Sequence, residues 1–485
     1  MGLVELSNLN LGEDKAESEA KELTKYFIST PTYINAKNEF RRKTYYIGQR
    51  GAGKSALFNK LSGDYSKNGK AIILKITPDD FSYEKFRNLE HNYTDMRAVY
   101  GYVWHYTLLT DMFRGAVDYY EEHSNLKTNK DNVQTLRNYL ESKNALTNQG
   151  FLDTFLTFFG EFTSDKNLNT ALKVGSNQQN RSFIELSNLS ELILELKAFR
   201  NITDNHHLYM FIDELDTGWD NTKEATNFIH GLFYAVRQVK KLSNVTIFIS
   251  LRSDMYNDLS SILPDPEKMR GEIERFSWNP SMLRSLIAER IIVNYPTMDS
   301  ETSDNTAIST VFEDGVLEYI IEHSLQRPRE IIQFCKDVLN QFNATIYDSK
   351  RLDKITLALV KSIEPSFSLS RLDYLCREYE HQYPDLYTFL SYFGNAKEYY
   401  SMSEFKTNLE DVMLYAVEKL GENSWLGHNF NTTKLIEILF EIGFIKLFSE
   451  RFQKYLAYYE GSFLNIENVS QVKIHDVFVS ALQCN

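Results

Sequence analysis

Gly48-Gln49-Arg50-Gly51-Ala52-Gly53-Lys54-Ser55 decides the fold. It follows the pattern G-x-x-x-x-G-K-[ST], in which glycines let successive backbone N–H groups turn inward around a phosphate while a helix N-terminus adds its positive dipole end. The flanks suit it. Lys43–Ile47 reads as a short strand, Lys54–Leu61 as a helix, and Ala71–Ile76 as a second buried strand closed by Thr77-Pro78. Strand, loop, helix and strand in that order form a parallel βαβ unit. The residues expected to cradle the phosphates are Gly48, Gln49, Arg50, Gly51, Ala52, Gly53, Lys54, Ser55 and Ala56. Lys54 is expected to contact the β- and γ-phosphates, and the Ser55 hydroxyl to ligate Mg²⁺.

A second element is Met210-Phe211-Ile212-Asp213-Glu214. An apolar strand ending in Asp places a carboxylate at the C-terminal edge of a sheet, where it can hold the Mg²⁺ shell beside the phosphate loop. Glu214, next along, can orient and partly deprotonate an attacking water. A third element is Ile247-Phe248-Ile249-Ser250-Leu251-Arg252. In a parallel sheet this strand is expected to lie between the two that carry the motifs. Ser250 could then hydrogen-bond the lytic water, and Arg252 could sense the γ-phosphate. Arg329, in Arg327-Pro328-Arg329, is placed where a lid could reach a nucleotide. Arg270 and Arg275 flank a fifth strand, from which an arginine finger could enter a neighbouring copy. The candidate chemistry is therefore ATP with Mg²⁺ held by Ser55 and Asp213, and Glu214, Lys54, Ser250, Arg252 and Arg329 as the catalytic set.

Around these motifs the chain divides. A charged helix is expected over Glu13–Phe27, ending before Ser29-Thr30-Pro31. Residues 1–280 form the expected ATPase core, interrupted at about 79–203 by a helical insertion with loops at Ser124–Asn132 and Ser164–Ser182. The sheet resumes at His207–Ile212, then a helix at Thr222–Lys241, strands at Val245–Ser250 and Ile273–Trp278, and a helix at Ser281–Val293. Helices at Asp314–Ser324 and Arg329–Phe342 complete a helical lid over 281–364. Beyond Glu364-Pro365, residues 365–485 carry helical patterns at Asp385–Phe393, Met402–Leu420 and Thr432–Ile442, then strands at Phe444–Phe448, Tyr455–Tyr459 and Val472–Ile474. Three helices and a terminal hairpin suggest a winged-helix-like module. The expected fold class is α/β, a P-loop NTPase with a parallel five-stranded sheet.

Composition narrows the function. A net charge of −13 repels phosphate backbones at long range. Residues 365–485 hold 10 Lys and Arg against 16 Asp and Glu, which argues against a general DNA-binding wing. Cys335, Cys376 and Cys484 are scattered without a C-x-x-C pair, as in a reducing compartment. No secretory signal or membrane span is evident, so a cytoplasmic location is expected. Thr128-Asn129-Lys130-Asp131-Asn132 ends in Asn where a guanine-reading N-K-x-D motif needs Asp.

Together these residues resemble the ASCE division of P-loop ATPases, in its AAA+ and STAND branches. Ser250-Leu251-Arg252 looks like the STAND strand followed by hydroxyl-x-Arg, and Gln326-Arg327-Pro328-Arg329 looks like the second sensor of the lid. Gln326-Arg327-Pro328 stands where the STAND lid has G-x-P, a departure that tells against NLR-type switching. Phe211-Ile212-Asp213-Glu214-Leu215-Asp216-Thr217-Gly218-Trp219-Asp220 is similar to a bacterial P-loop ATPase family with a D-[DE]-L-D-x-G-W signature, often encoded beside phage-defence genes. That resemblance also takes in Ile474-His475-Asp476. It implies a regulatory ATPase, a nucleotide-controlled switch that assembles with itself or acts on an effector encoded nearby. The alternative is a nucleic-acid-dependent ATPase of the origin-recognition type, docking on DNA through the winged helix.

Overall fold

The computed structural model describes residues 6, 8–13, 22–77, 96–123, 129–145, 151–164, 192–217, 219, 222–260, 266–347, 353–421, 424–428, 431–462 and 464–484. Most of the helix expected over Glu13–Phe27 lies outside these residues, and Glu22–Tyr26 form turns. Most of both insertion loops also lies outside, with Gly218 and Asp220 of the D-[DE]-L-D-x-G-W stretch. The chain packs as two compact units. One comprises Ser29–Arg50 and Lys54–Phe276; the other comprises Met1–Ile28, Gly51–Gly53 and Ser277–Asn485.

The first unit begins with helix α1 (Pro31–Lys37). The Thr30 hydroxyl caps it by accepting the Tyr33 N–H, and Pro31 occupies the first turn, where a missing N–H costs nothing. Ser29-Thr30-Pro31, which reads as a stop, is thus equally a helix start. Then come β1 (Tyr45–Ile47), α2 (Lys54–Ser66) and β2 (Ala71–Ile76). The insertion supplies α3 (Met96–Glu122), α4 (Lys130–Ser142), α5 (Phe151–Ser164) and α6 (Ile193–Thr203). The motif half follows with β3 (His207–Ile212), α7 (Lys223–Val239) and β4 (Val245–Leu251). Two short helices that periodicity does not reveal, α8 (Ser253–Ser260) and α9 (Pro266–Arg270), precede β5 (Ile273–Arg275).

All five strands are parallel, in the order β2-β3-β4-β1-β5. Helices cover a parallel sheet on both faces, so its strands read as continuous apolar runs. β3 obeys this, with Leu208–Ile212 all buried. Phe211 and Phe248 stack across β3 and β4 at 4.8 Å between ring centroids, and each buried ring contributes about 2–3 kcal/mol. On the insertion side, α3 and α7 approach so closely that a Cβ on Gly231 would lie 2.7 Å from the Gly101 nitrogen. Gly231→Ala would therefore force the two helices apart.

The second unit opens with α10 (Pro280–Asn294), capped by Asn279, and continues with α11 (Asp304–Val311), α12 (Val316–Glu322) and α13 (Pro328–Tyr347). Helix α14 (Leu357–Glu378) runs straight through Glu364-Pro365, where sequence texture suggests a break. Pro365 lies on the exposed side, so the carbonyl it cannot bond can face water. Beyond it come α15 (Leu386–Ser391), β6 (Tyr399–Ser401), α16 (Met402–Leu420), α17 (Trp425–His428) and α18 (Thr432–Glu441). The chain ends with β7 (Ile445–Ser449), β8 (Lys454–Leu456), α19 (Tyr458–Gly461), β9 (Gln471–Ile474) and α20 (Asp476–Leu482). Its antiparallel sheet has the order β6-β9-β7-β8, a four-stranded wing rather than a lone hairpin. Residues Tyr458 and Tyr459, expected at the end of a strand, begin a helical turn instead.

The fold is therefore α/β, a P-loop NTPase sheet with a helical insertion, a helical lid and a C-terminal winged-helix-like module. Among the described residues, no helix is long and apolar enough to cross a membrane.

Candidate nucleotide site

β1 lies between β4 and β5, with Ile47 opposite both Leu251 and Arg275. Gly48 donates its N–H to the Leu251 carbonyl at 3.1 Å, which fixes where the loop departs from the sheet. The Lys54 ammonium donates to the carbonyls of Gly48 (2.9 Å) and Gln49 (3.1 Å). Lys54 thus holds the two residues that begin the loop. Ser55 and Ala56 follow in the first turn of α2, both half-buried, while Arg50 is exposed.

Gly51 and Gly53 have φ of +77° and +92°, in the left-handed region that side chains resist. Together with Ala52 they pack within the second unit. There the Trp278 indole donates to the Ala52 carbonyl at 2.8 Å, and a Cβ on Gly51 would lie 3.1 Å from the Arg329 Cβ. Gly51 is therefore required twice, by its dihedral and by its neighbour.

The carboxylates come from the end of β3. The Asp213 N–H donates to the Ile76 carbonyl at 3.0 Å, holding Asp213 at the C-terminal edge of the sheet. Its Oδ1 accepts the Glu214 N–H at 2.9 Å and the Ser250 hydroxyl from β4. Ser250 is 2% exposed and reaches Asp213 because β4 separates β3 from β1. Its hydroxyl is thus committed to Asp213.

Glu214 adopts φ +61°, left-handed for a residue with a side chain. The chain then turns, with Thr217 donating to the Glu214 carbonyl at 3.1 Å and Trp219 to that of Asp216 at 3.2 Å. Leu215 and Trp219 are buried while Asp213, Glu214 and Asp216 stay half-exposed. This gives the D-E-L-D-x-G-W spacing a physical reading: the Leu and the Trp anchor the turn in the core so that its acids remain at the sheet edge.

Arg252 is 8% exposed and grips Asp254 with both Nε (3.0 Å) and Nη2 (2.5 Å). Asp216 lies 4.0 Å from its Nε. The sequence assigns Arg252 to a phosphate; here two carboxylates hold it. Lys75, near the end of β2, is a residue that the motifs do not point to. It is exposed, bonds Asn59 of α2 at 3.0 Å, and partial desolvation lowers its pKa while the Asp213 charge pulls it back up. A lone lysine in an apolar strand is the only signal it leaves in the sequence. Arg270 and Arg275 are both exposed, and Arg275 lies 5.2 Å from the Tyr256 ring.

In the second unit, Gln326 has φ +52° and leads into α13. Arg327 is 6% exposed and bonds Glu378 at 3.1 Å, with Glu330 4.0 Å away. Arg329 differs: its Nε is buried without a hydrogen-bond partner. In the wing, Lys446 and Lys473 face each other across β7 and β9 and each bonds one oxygen of Asp476 at 2.5 Å. Both lysines of this sheet face are thus already ion-paired. No group of three or more His, Cys, Asp or Glu capable of holding a metal occurs among the described residues.

Residues 281–376 match a family described as the FunZ-associated C-terminal helical domain. The match spans the helices from α10 to near the end of α14. The chain is 23% identical to the "Putative transposon gamma-delta 80.3 kDa protein" of Escherichia coli K12, over 98% of this chain and 67% of that protein. Two solved structures are similar at 11% identity. One, the Aeropyrum pernix ORC1 protein in complex with DNA, covers 96% of this chain and 92% of its own, with a TM-score of 0.35. The other, Cdc6p from Pyrobaculum aerophilum, covers 99% and 97%, with a TM-score of 0.28.

Proposed function

We propose that this chain is a Mg²⁺-dependent ATPase that works as a nucleotide-controlled switch, assembling with itself or acting on a partner effector in bacterial anti-phage defence. The observation that carries the ATPase reading is Asp213, oriented on one oxygen by Ser250 and the Glu214 N–H, at the sheet edge two strands from the one that launches the phosphate loop.

The residues fit the ligand. Gly51 and Gly53 carry no side chains and hold φ of +77° and +92°, so the loop's backbone can be approached closely, as a phosphate requires. Both donors to Asp213 fall on Oδ1, which leaves Oδ2 for the hydration shell of a Mg²⁺ that Ser55 would hold. When bound, Mg²⁺ supplies charge neutralisation at the β- and γ-phosphates. Lys54 exchanges its loop carbonyls for phosphate oxygens. Glu214 accepts a proton from the attacking water, in a position set by its left-handed backbone. Arg329, packed on Gly51, is the lid's contribution.

Regulation is favoured over metabolism by the resemblance of Phe211–Asp220 to a family often encoded beside phage-defence genes. The origin-recognition reading is disfavoured by the wing, whose Lys446 and Lys473 are neutralised by Asp476. The test is Glu214→Gln. It should bind ATP as the wild type does and retain it through a desalting column, while phosphate release falls at least about a hundredfold. Unchanged turnover would remove Glu214 from its role, and absence of ATP binding by the wild type would end the reading.

A further inference from the structure

We propose that Arg327 is a positioning residue that sets Arg329 over the crown of the phosphate loop and ties it mechanically to the C-terminal winged module through α14. The inference rests on the nucleotide-switch reading and names the route by which that switch reaches its output.

Every link lies within the second unit. The turn Leu325–Arg329 carries two arginines with opposite surroundings. Arg329 packs against Gly51 with its Nε unpartnered, whereas Arg327 is buried and bonded to Glu378, the last residue of α14. Glu330 closes the turn: its Oε2 accepts the Leu325 N–H at 3.0 Å, and its N–H donates to the Arg327 carbonyl at 3.0 Å. With Gln326 held left-handed and Pro328 fixing the next φ, the turn has little freedom to move Arg329 independently of Arg327.

Helix α14 carries the connection onward. Arg371 bonds Gln333 of α13 at 3.1 Å, which locks the two helices side by side. Ser368 donates to the Val477 carbonyl at 2.5 Å and accepts the Ala481 N–H at 2.8 Å, so a buried hydroxyl pins α14 to the terminal helix α20. Asp476, which opens α20, clamps Lys446 of β7 and Lys473 of β9. A displacement of the turn is thus conveyed from Arg327 to Glu378, along a rigid helix to Ser368, and into the helix that anchors the wing sheet. Breaking a buried ion pair by removing one partner leaves the other charge uncompensated, so this joint resists independent motion of its two sides.

The test uses the full-length protein with ATPγS and amide hydrogen exchange over Asp476–Leu482. In the wild type, saturating ATPγS should change the exchange of α20 by about tenfold, within the ordinary range of coupling between sites. Arg327→Met should bind a fluorescent ATP analogue more weakly than the wild type, because Arg329 is no longer held, and at saturating ATPγS it should lose the α20 response. The charge-swapped pair Arg327→Glu with Glu378→Arg should restore it, which a merely fold-holding role does not require. Should Arg327→Met fail to fold, Glu378→Gln weakens the same joint while Glu330 still faces Arg327, and should at least halve the response. A full α20 response in either single variant overturns the proposal, as does a wild type whose α20 ignores bound ATPγS. A wild type that binds no ATP overturns the nucleotide reading instead.

Discussion

Glu214 joins a proposed chemical role to an unfavourable backbone, and the two can be separated by comparing Glu214→Ala with Glu214→Gly. Both variants remove the carboxylate. Only the glycine also relieves φ +61°, a conformation that costs a residue with a Cβ about 1–2 kcal/mol. Against this, glycine loses more freedom on folding, an offset of about 0.4–1 kcal/mol. The Asp213 contact to Glu214 is made by the backbone N–H and survives in both variants. Glu214→Gly should therefore be more stable than Glu214→Ala by roughly 0.8 kcal/mol, the difference between the midpoints of those two ranges. In a unit of this size that raises the melting temperature by roughly 1–4 °C, readable by calorimetry. Turnover at saturating ATP should fall about 10²–10⁴-fold in both, as expected for loss of a general base. An alanine variant as stable as the glycine variant would refute the claim that strain is held there. Phosphate release within about tenfold of the wild type in both would refute the catalytic assignment.

Ser250→Ala removes the hydroxyl that orients Asp213 without touching a reacting atom, so the concentration of Mg²⁺ needed for half-maximal turnover should rise about tenfold with a smaller change in ATP affinity; an unchanged Mg²⁺ profile would refute it. His475 is fully buried, and burial first, then the charges of Lys446, Lys473 and Arg327, hold its pKa well below 6.5 against the opposing pull of Asp476. The folded state therefore keeps His475 neutral while the unfolded chain takes up a proton. This stability is present above pH 6.5 and is lost below it, by up to about 1.4 kcal/mol per pH unit. Melting of the second unit followed from about pH 7.5 to about pH 5.5 should show this slope, and His475→Asn should flatten it.

How much of this is legible in the sequence depends on whether a signal is local. β3 is placed residue for residue at His207–Ile212, because an apolar run bounded by His and Asp leaves little choice. Met402–Leu420 is equally clear, with Ser401 as its cap and Gly421 beyond its end. β6 is not, since Tyr399–Ser401 is a strand only through pairing with Gln471–Lys473, far away in the chain. Pro365 misleads because proline is a strong local breaker, yet on an exposed helix face its lost hydrogen bond can be met by water. In the candidate site, the glycine loop between β1 and α2 and the end of β3 at Asp213-Glu214 are placed from spacing. The Ser250–Asp213 bond requires the strand order, and the Asp254 grip on Arg252 is hidden because the short helix Ser253–Ser260 gives no periodic signal.

That grip bears on how the proposed switch distinguishes ATP from ADP. Arg252 and Arg327 each have a carboxylate within hydrogen-bonding distance, and Arg275 lies by an aromatic ring. For Arg252 to engage a γ-phosphate it must give up a bidentate carboxylate, and such an exchange of one anion for another is nearly balanced in energy. A nearly balanced exchange is what a switch requires, since the presence or absence of one phosphate can then tip it. Arg329, with a buried Nε lacking a partner, gains a hydrogen bond without losing one. Arg329 would thus contribute affinity to any bound nucleotide whose phosphates reach it, and Arg252 the discrimination. Loss of Arg329 should weaken ATP and ADP alike in equilibrium titrations, whereas loss of Asp254, by removing the bidentate partner of Arg252, should tighten ATP selectively; equal tightening of both nucleotides would sink the exchange.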